Sequence, residues 1–230
     1  MRRYQTLLPA ALGAVALMAA FAAPARATII DYSLNKFVGE GNVPAGPYGT
    51  VELNDNNGGP NVQVTVTLAA GVGFVNTGTG GALDWTLKSP SALTITGLDT
   101  TNFTFATNNS SAHAGGAGNF LYQIDCKSCG TGGSNPYTGT LSFTIDNVSI
   151  SQFMRNDSEF YFASDVCTNV TNNSCTQGKT GNVASNTKND ATPAPEPPAI
   201  ALLGSGLLAL GLVRRRSPVL LARRVAGRVC

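Results

Sequence analysis

Val62-Gln63-Val64-Thr65-Val66-Thr67-Leu68 (VQVTVTL) decides the reading of the fold. Apolar residues occupy every second position, and Gln63, Thr65 and Thr67 fill the gaps. Successive strand side chains point to opposite faces, so this run offers one face to a core and one to water. A helix would scatter the same four apolar residues around its axis. The β-branched valines and threonines also pack well on a pleated surface.

The same period of two recurs on both sides of this run. It carries Ile30, Tyr32 and Leu34; Leu83, Trp85 and Leu87; Leu93 and Ile95; and Phe103 and Phe105. It continues through Phe120, Tyr122 and Ile124; Leu141, Phe143 and Ile145; and Phe160 and Phe162. Between these runs stand Asn54 to Pro60, Gly78 to Gly81, Ser110 to Gly118 and Gly130 to Pro136, rich in the residues that tight turns need. No stretch here holds a period of 3.6 for ten residues. About eight to ten short strands with one buried face predict an all-β domain over residues 28–185, an antiparallel β-sandwich of jelly-roll or Ig-like type. Trp85 is expected between the sheets, where its indole needs an acceptor; carbohydrate stacking is its other reading. Val183 is assigned to a final strand, and residues 186–194 read as a flexible linker.

Charge is unevenly spread. Of 15 Lys and Arg, only Lys36, Lys88, Lys127, Arg155, Lys179 and Lys188 fall between Thr28 and Asp190, against 12 of the 13 acids. This central part therefore carries about −6 although the whole chain is +2. Such a surface repels nucleic acid and anionic lipid, so no nucleic-acid partner is expected. One histidine in 230 residues argues against imidazole metal sites and His-based triads.

Both ends read as targeting segments. Met1-Arg2-Arg3, the apolar run Leu7 to Ala23, and small residues at Ala25 and Ala27 form a signal peptide, residues 1–27, cut by signal peptidase after Ala27. An uncleaved anchor is the alternative. At the other end, Pro195-Glu196-Pro197 precedes the apolar run Ala199 to Val213, which Arg214, Arg215 and Arg216 close. Fifteen helical residues span about 22 Å, short of a hydrocarbon core of about 30 Å, and the arginines can snorkel to the interface. Positive charge at both ends keeps them cytoplasmic, which places Thr28 to Asp190 beyond the inner membrane.

The order Pro-Glu-Pro, apolar helix, arginine cluster over residues 195–216 resembles the PEP-CTERM sorting signal of Gram-negative bacteria. The resemblance implies recognition and cleavage near Pro195-Glu196-Pro197 by an exosortase-like membrane protease. It also implies association with exopolysaccharide and biofilm matrix. Members usually stop soon after the arginines, whereas this chain continues through a basic tail, residues 217–230, with Arg223, Arg224, Arg228 and Cys230. The runs Pro47-Tyr48-Gly49-Thr50-Val51 and Gly73-Phe74-Val75-Asn76-Thr77-Gly78 resemble exported β-sandwich passengers found upstream of this signal.

Four cysteines lie in the central part. Cys126-Lys127-Ser128-Cys129 admits a redox pair, half a zinc site with Cys167 and Cys175, or a structural disulfide. A helix N-terminus to activate Cys126 is missing from the pattern, and an oxidising compartment favours disulfides. The expected pairs are Cys126–Cys129 and Cys167–Cys175, among three possible pairings. Asn54-Asp55-Asn56-Asn57-Gly58 has oxygen ligands but lacks the bidentate Glu of an EF-type calcium loop, and reads as a hairpin turn. His113 is expected to be exposed in a loop. No nucleophile elbow surrounds any serine, and no carboxylate pair is flagged by a local motif. The expectation is a non-enzymatic surface or matrix protein with no cofactor and no metal. A carbohydrate-binding module is the alternative, and a secreted hydrolase comes third.

Overall fold

A computed structural model describes residues 27–39, 46–56, 58–175, 179–186 and 192–193. All belong to the first of the chain's two units, Met1–Ala194. Two sheets result, and every strand pair within them is antiparallel. The first holds, in spatial order, β14 (Thr192–Pro193), β1 (Thr28–Leu34), β3 (Gly49–Asn54), β4 (Val62–Leu68), β10 (Leu141–Ile145) and β7 (Ile95–Thr96). The second runs β2 (Lys36–Phe37), β13 (Thr180–Ser185), β12 (Phe162–Thr168), β6 (Leu83–Leu87), β9 (Asn119–Cys126) and β8 (Phe103–His113). Two short strands hang on this second sheet: β5 (Val72–Phe74) pairs with β12, and β11 (Phe153–Met154) with β6.

The first sheet obeys the alternation. Val62, Val64 and Val66 are fully buried, while Gln63 and Thr65 are half-buried and Thr67 is exposed. Cross-strand register aligns Val51 and Leu141 with Val66, and Leu53 and Phe143 with Val64, so one face of three strands becomes a continuous apolar layer. Each fully buried valine, leucine or phenylalanine contributes roughly 1.5–3 kcal/mol relative to exposure. This layer packs on the second sheet: the Tyr32 ring lies 4.9 Å from Phe162, and Trp85 5.6 Å from Phe143. The molecule is therefore a β-sandwich with one main core between its sheets.

The second sheet departs from the pattern. All five residues of β6 are buried, and so are Phe162 through Cys167 of β12. Connecting segments cover its outer face as a third layer. A 3-10 turn, Gly115–Ala117, brings Ala114 and Ala117 together with Phe120, Phe160 and Val38 over Ala163 and Ala184. Asn156 pins this layer. Its Nδ2 donates to Ala117 O (2.7 Å) and Asn119 O (3.1 Å), and its Oδ1 accepts from the amides of Ser158 and Phe160. Both donors and both lone pairs of the buried amide are thereby used.

Several local expectations change. His113 is exposed as predicted but ends β8 rather than sitting in a loop, because β8 continues through two register shifts, Phe105/Thr107 and Asn108/Ala112. The turn expected at Ser110 to Gly118 is confined to Ala114–Gly118, where Gly115 and Gly118 adopt positive φ. Only Ile95 of the Leu93–Ile95 run and only Phe162 of the Phe160–Phe162 run are strand. Thr192–Pro193, within the segment read as a linker, pairs with β1 at the edge of the first sheet. A proline at an edge leaves no ladder bond unmade.

Candidate functional site

The cysteines form the two expected disulfides, Cys126–Cys129 and Cys167–Cys175, with Cα atoms 5.4 and 6.1 Å apart. Their loops meet. Asn135 N donates to Asn173 O at 3.0 Å, Cys175 N donates to Gly133 O at 3.0 Å, and Ser134 bridges to Ser174. Asn135, Asn172 and Asn173 all take positive φ, a conformation asparagine tolerates better than other side-chain-bearing residues. Chain-entropy reasoning gives about 2–3 kcal/mol for the longer loop, Cys167–Cys175, and less for the shorter. Changing Cys167 and Cys175 together to Ala is expected to cost that amount in urea unfolding. It should also speed amide exchange in residues 130–136, which the partner loop holds; unchanged exchange there would show that the two loops are independent.

The assigned targeting residues lie elsewhere. Ala27 is half-buried and immediately precedes β1. Ala25, the sorting motif Pro195, Glu196 and Pro197, the membrane run Ala199 to Val213, the cluster Arg214, Arg215 and Arg216, and the 217–230 tail fall outside the described residues. Among the described residues no helix is long and apolar enough to cross a membrane.

Trp85 is fully buried against Tyr122, Phe143 and Phe105, which settles it as core; the acceptor expected for its indole is not there, and Nε1 has no hydrogen-bond partner among the described residues. The Asn54–Gly58 segment is a turn, with Asn54 Oδ1 accepting from Asn56 N and Asp55 Oδ1 from Gly58 N. Among the described residues no group of three or more His, Cys, Asp or Glu is placed to hold a metal ion.

The structure adds an acid cluster that no sequence motif marks. Asp84 on β6 and Asp165 on β12 are both fully buried on the outer face of the second sheet, and Asp125 on β9 is half-buried beside them. The strap Thr77–Gly81 lies over them. Asp84 Oδ2 accepts from Gly81 N at 2.9 Å, and Asp165 accepts from Thr77 N and Oγ1 at 2.7–2.8 Å. Asn182, opposite Asp165 across the ladder, donates to Thr79 O. Asp84 Oδ1 has no partner among the described residues. Burial pushes the Asp84 carboxyl up to about 8, opposed by the Gly81 N–H and reinforced by Asp125 and Asp165. Burial likewise pushes Asp165 up to about 6, held down by the Thr77 hydroxyl and amide, and raises Asp125. Asp84 and Asp165 are covered from solvent, and their carboxylates tie the Thr77–Gly81 strap to β6 and β12.

Open grooves are lined by described residues. One, about 790 Å³, runs between the free edges of the two sheets, lined by Ile95, Leu98, Thr100, Phe105 and Lys127. The Phe105 ring lies nearly parallel to Trp85 (14°, 6.1 Å), which fixes its orientation. Another, about 810 Å³, contains Tyr32, Lys88, Phe153, Arg155 and Tyr161. There Arg155 sits over Tyr161 and pairs with Glu159 at 2.9 Å. Both partners of that pair are largely exposed, so its contribution is small.

Together these features define the class: an antiparallel β-sandwich whose loops are bound by disulfides and whose second sheet is sealed by a third layer. Compared with family models, curated proteins and solved structures, the chain gives no match in any of the three.

Proposed function

We propose that this chain is an exported, transiently membrane-anchored surface or extracellular-matrix protein, not an enzyme. The observation that carries this reading is the order of segments at its ends. A signal peptide opens the chain. Pro195-Glu196-Pro197, the apolar run and Arg214 to Arg216 form a PEP-CTERM-like sorting signal with a transmembrane helix, read by an exosortase-like protease. The passenger is held in the periplasm, then delivered to the cell surface or to an exopolysaccharide or biofilm matrix. Two disulfides suit an oxidising compartment, and an acidic, Thr- and Asn-rich surface suits hydration outside the cell. The chain crosses repeatedly between the two sheets, as from β4 to β5, from β6 to β7 and back to β8, and from β9 to β10, which supports a jelly-roll or Ig-like type.

Replacing Glu196 by Ala is expected to leave the full-length form in the inner membrane on fractionation; maturation at the normal rate would show that the motif is not read. Deleting residues 199–216 should give a freely soluble product. A second reading, a carbohydrate-binding module, draws on the groove where the oriented Phe105 ring stands beside Thr100 and Lys127. It requires saturable polysaccharide binding that Phe105→Ala abolishes. A hydrolase reading gains nothing from Asp84 and Asp165, which solvent does not reach.

A further inference from the structure

The first residue of β1 is held in an unusual way. The Thr28 N–H donates to the Asp55 carboxylate, with N···Oδ1 2.7 Å, and Thr28 O accepts from Asp55 N at 3.2 Å. Asp55 belongs to the β3–β4 turn, where its Oδ1 also accepts from Gly58 N. Thr28 and Asp55 are both half-buried. On its other side Thr28 faces Pro193 of β14.

We propose that Asp55 is a docking site for the protein's own new N-terminus, forming an ion pair with the α-ammonium of Thr28 once the signal segment is removed. The inference rests on the reading that cleavage follows Ala27. Water then adds across the Ala27–Thr28 bond, leaving a carboxylate on Ala27 and an amine on Thr28 that takes up a proton. In the uncut chain Thr28 N carries one hydrogen and no charge. In the cut chain the same nitrogen is cationic with three hydrogens, and the 2.7 Å separation already held by the peptide N–H is one at which an ammonium makes a charge-assisted bond to a carboxylate. The other charged residues of the adjoining strands are Asp31 on β1 and Glu52 on β3, both acids, and β14 carries none. Signal removal thus converts a neutral contact into an ionic clasp between the chain start and the β3–β4 hairpin.

The test uses the full chain exported from a bacterial host. N-terminal sequencing reads the cut, and the pH dependence of α-amine dimethylation, followed by mass spectrometry, reads the clasp. The expected first residue is Thr28, with its amine titrating about one unit above the ordinary 7.7–8.0. Asp55→Asn, which can still accept from Gly58 N, should return it to the ordinary range. If that variant does not fold, a glycine inserted between residues 27 and 28 displaces the amine by one residue, about 3.6 Å, and should have the same effect. A Thr28 amine that titrates in the ordinary range in the unaltered protein overturns the clasp alone. A different first residue overturns both the cleavage reading and the clasp.

Discussion

Asp84→Asn is expected to make the protein more stable above pH 8 and to flatten most of its pH dependence. Asp84 keeps its proton in the folded state up to about 8, whereas in the unfolded chain it ionises near 4. The folded state therefore binds more protons through that interval. Its stabilising effect is complete below about pH 4, declines as pH rises, and is gone above about 8. At roughly 1.4 kcal/mol per pH unit over about four units the decline is on the order of 5–6 kcal/mol. Asparagine can accept from Gly81 N as Asp84 does and carries no charge to desolvate. Urea unfolding at pH 4, 6 and 9 should show the wild type weakening steadily. The variant should keep the smaller pH dependence that Asp165, below about pH 6, and Asp125 contribute with the same sign. Parallel curves for the two proteins would remove the protonated Asp84 from the account.

Trp85→Ala should destabilise the sandwich by about 3–5 kcal/mol, the usual cost of emptying a large aromatic site in a core. Trp85 is in ring contact with Tyr122 and Phe105 from its own sheet and with Phe143 from the other, so its loss opens both layers at once. Trp85→Phe should behave differently. It keeps an aromatic ring between Tyr122 and Phe143 and removes the buried indole N–H that has no partner among the described residues. Leaving such a donor unpaired costs roughly 1–3 kcal/mol, which offsets much of the lost volume. A difference of about 1 kcal/mol or less from the wild type is expected, measured by circular dichroism because Trp85 is the sole tryptophan. Equal losses for Ala and Phe would mean that the indole N–H is satisfied in solution.

These two residues also mark where sequence reading succeeds and where it stops. Alternation placed Val62, Val64, Val66 and Trp85 in the core, because one buried face is all that a period of two describes. The same rule sends Asp84 and Thr86 to water, yet both are buried. Asp84 is covered by the Thr77–Gly81 strap, which leads directly into β6 and whose Gly81 N–H reaches three residues on to its carboxylate, a contact that no period of two marks. The near-continuous Phe160 to Cys167 run was the one local sign that a strand had two covered faces. The end of β8 was missed because its register shifts break the period between Phe105 and Ala112. Disulfide pairing was legible because each pair closes its own short loop, and the contact between those loops was not.

The covered second sheet reverses an ordinary rule of protein engineering. Loops are the usual place to attach an affinity tag, a dye or an inserted peptide. Here Gly115–Ala117 and the Asn156–Phe160 segment are roofing, and an insertion there would strip Ala163 and Ala184 of cover. A substituted, labelled side chain, though not an insertion that would slip the register, is tolerated instead on the other side of the first sheet, at exposed Thr67. A cysteine placed at Thr67 for labelling should leave the melting temperature within a degree or two.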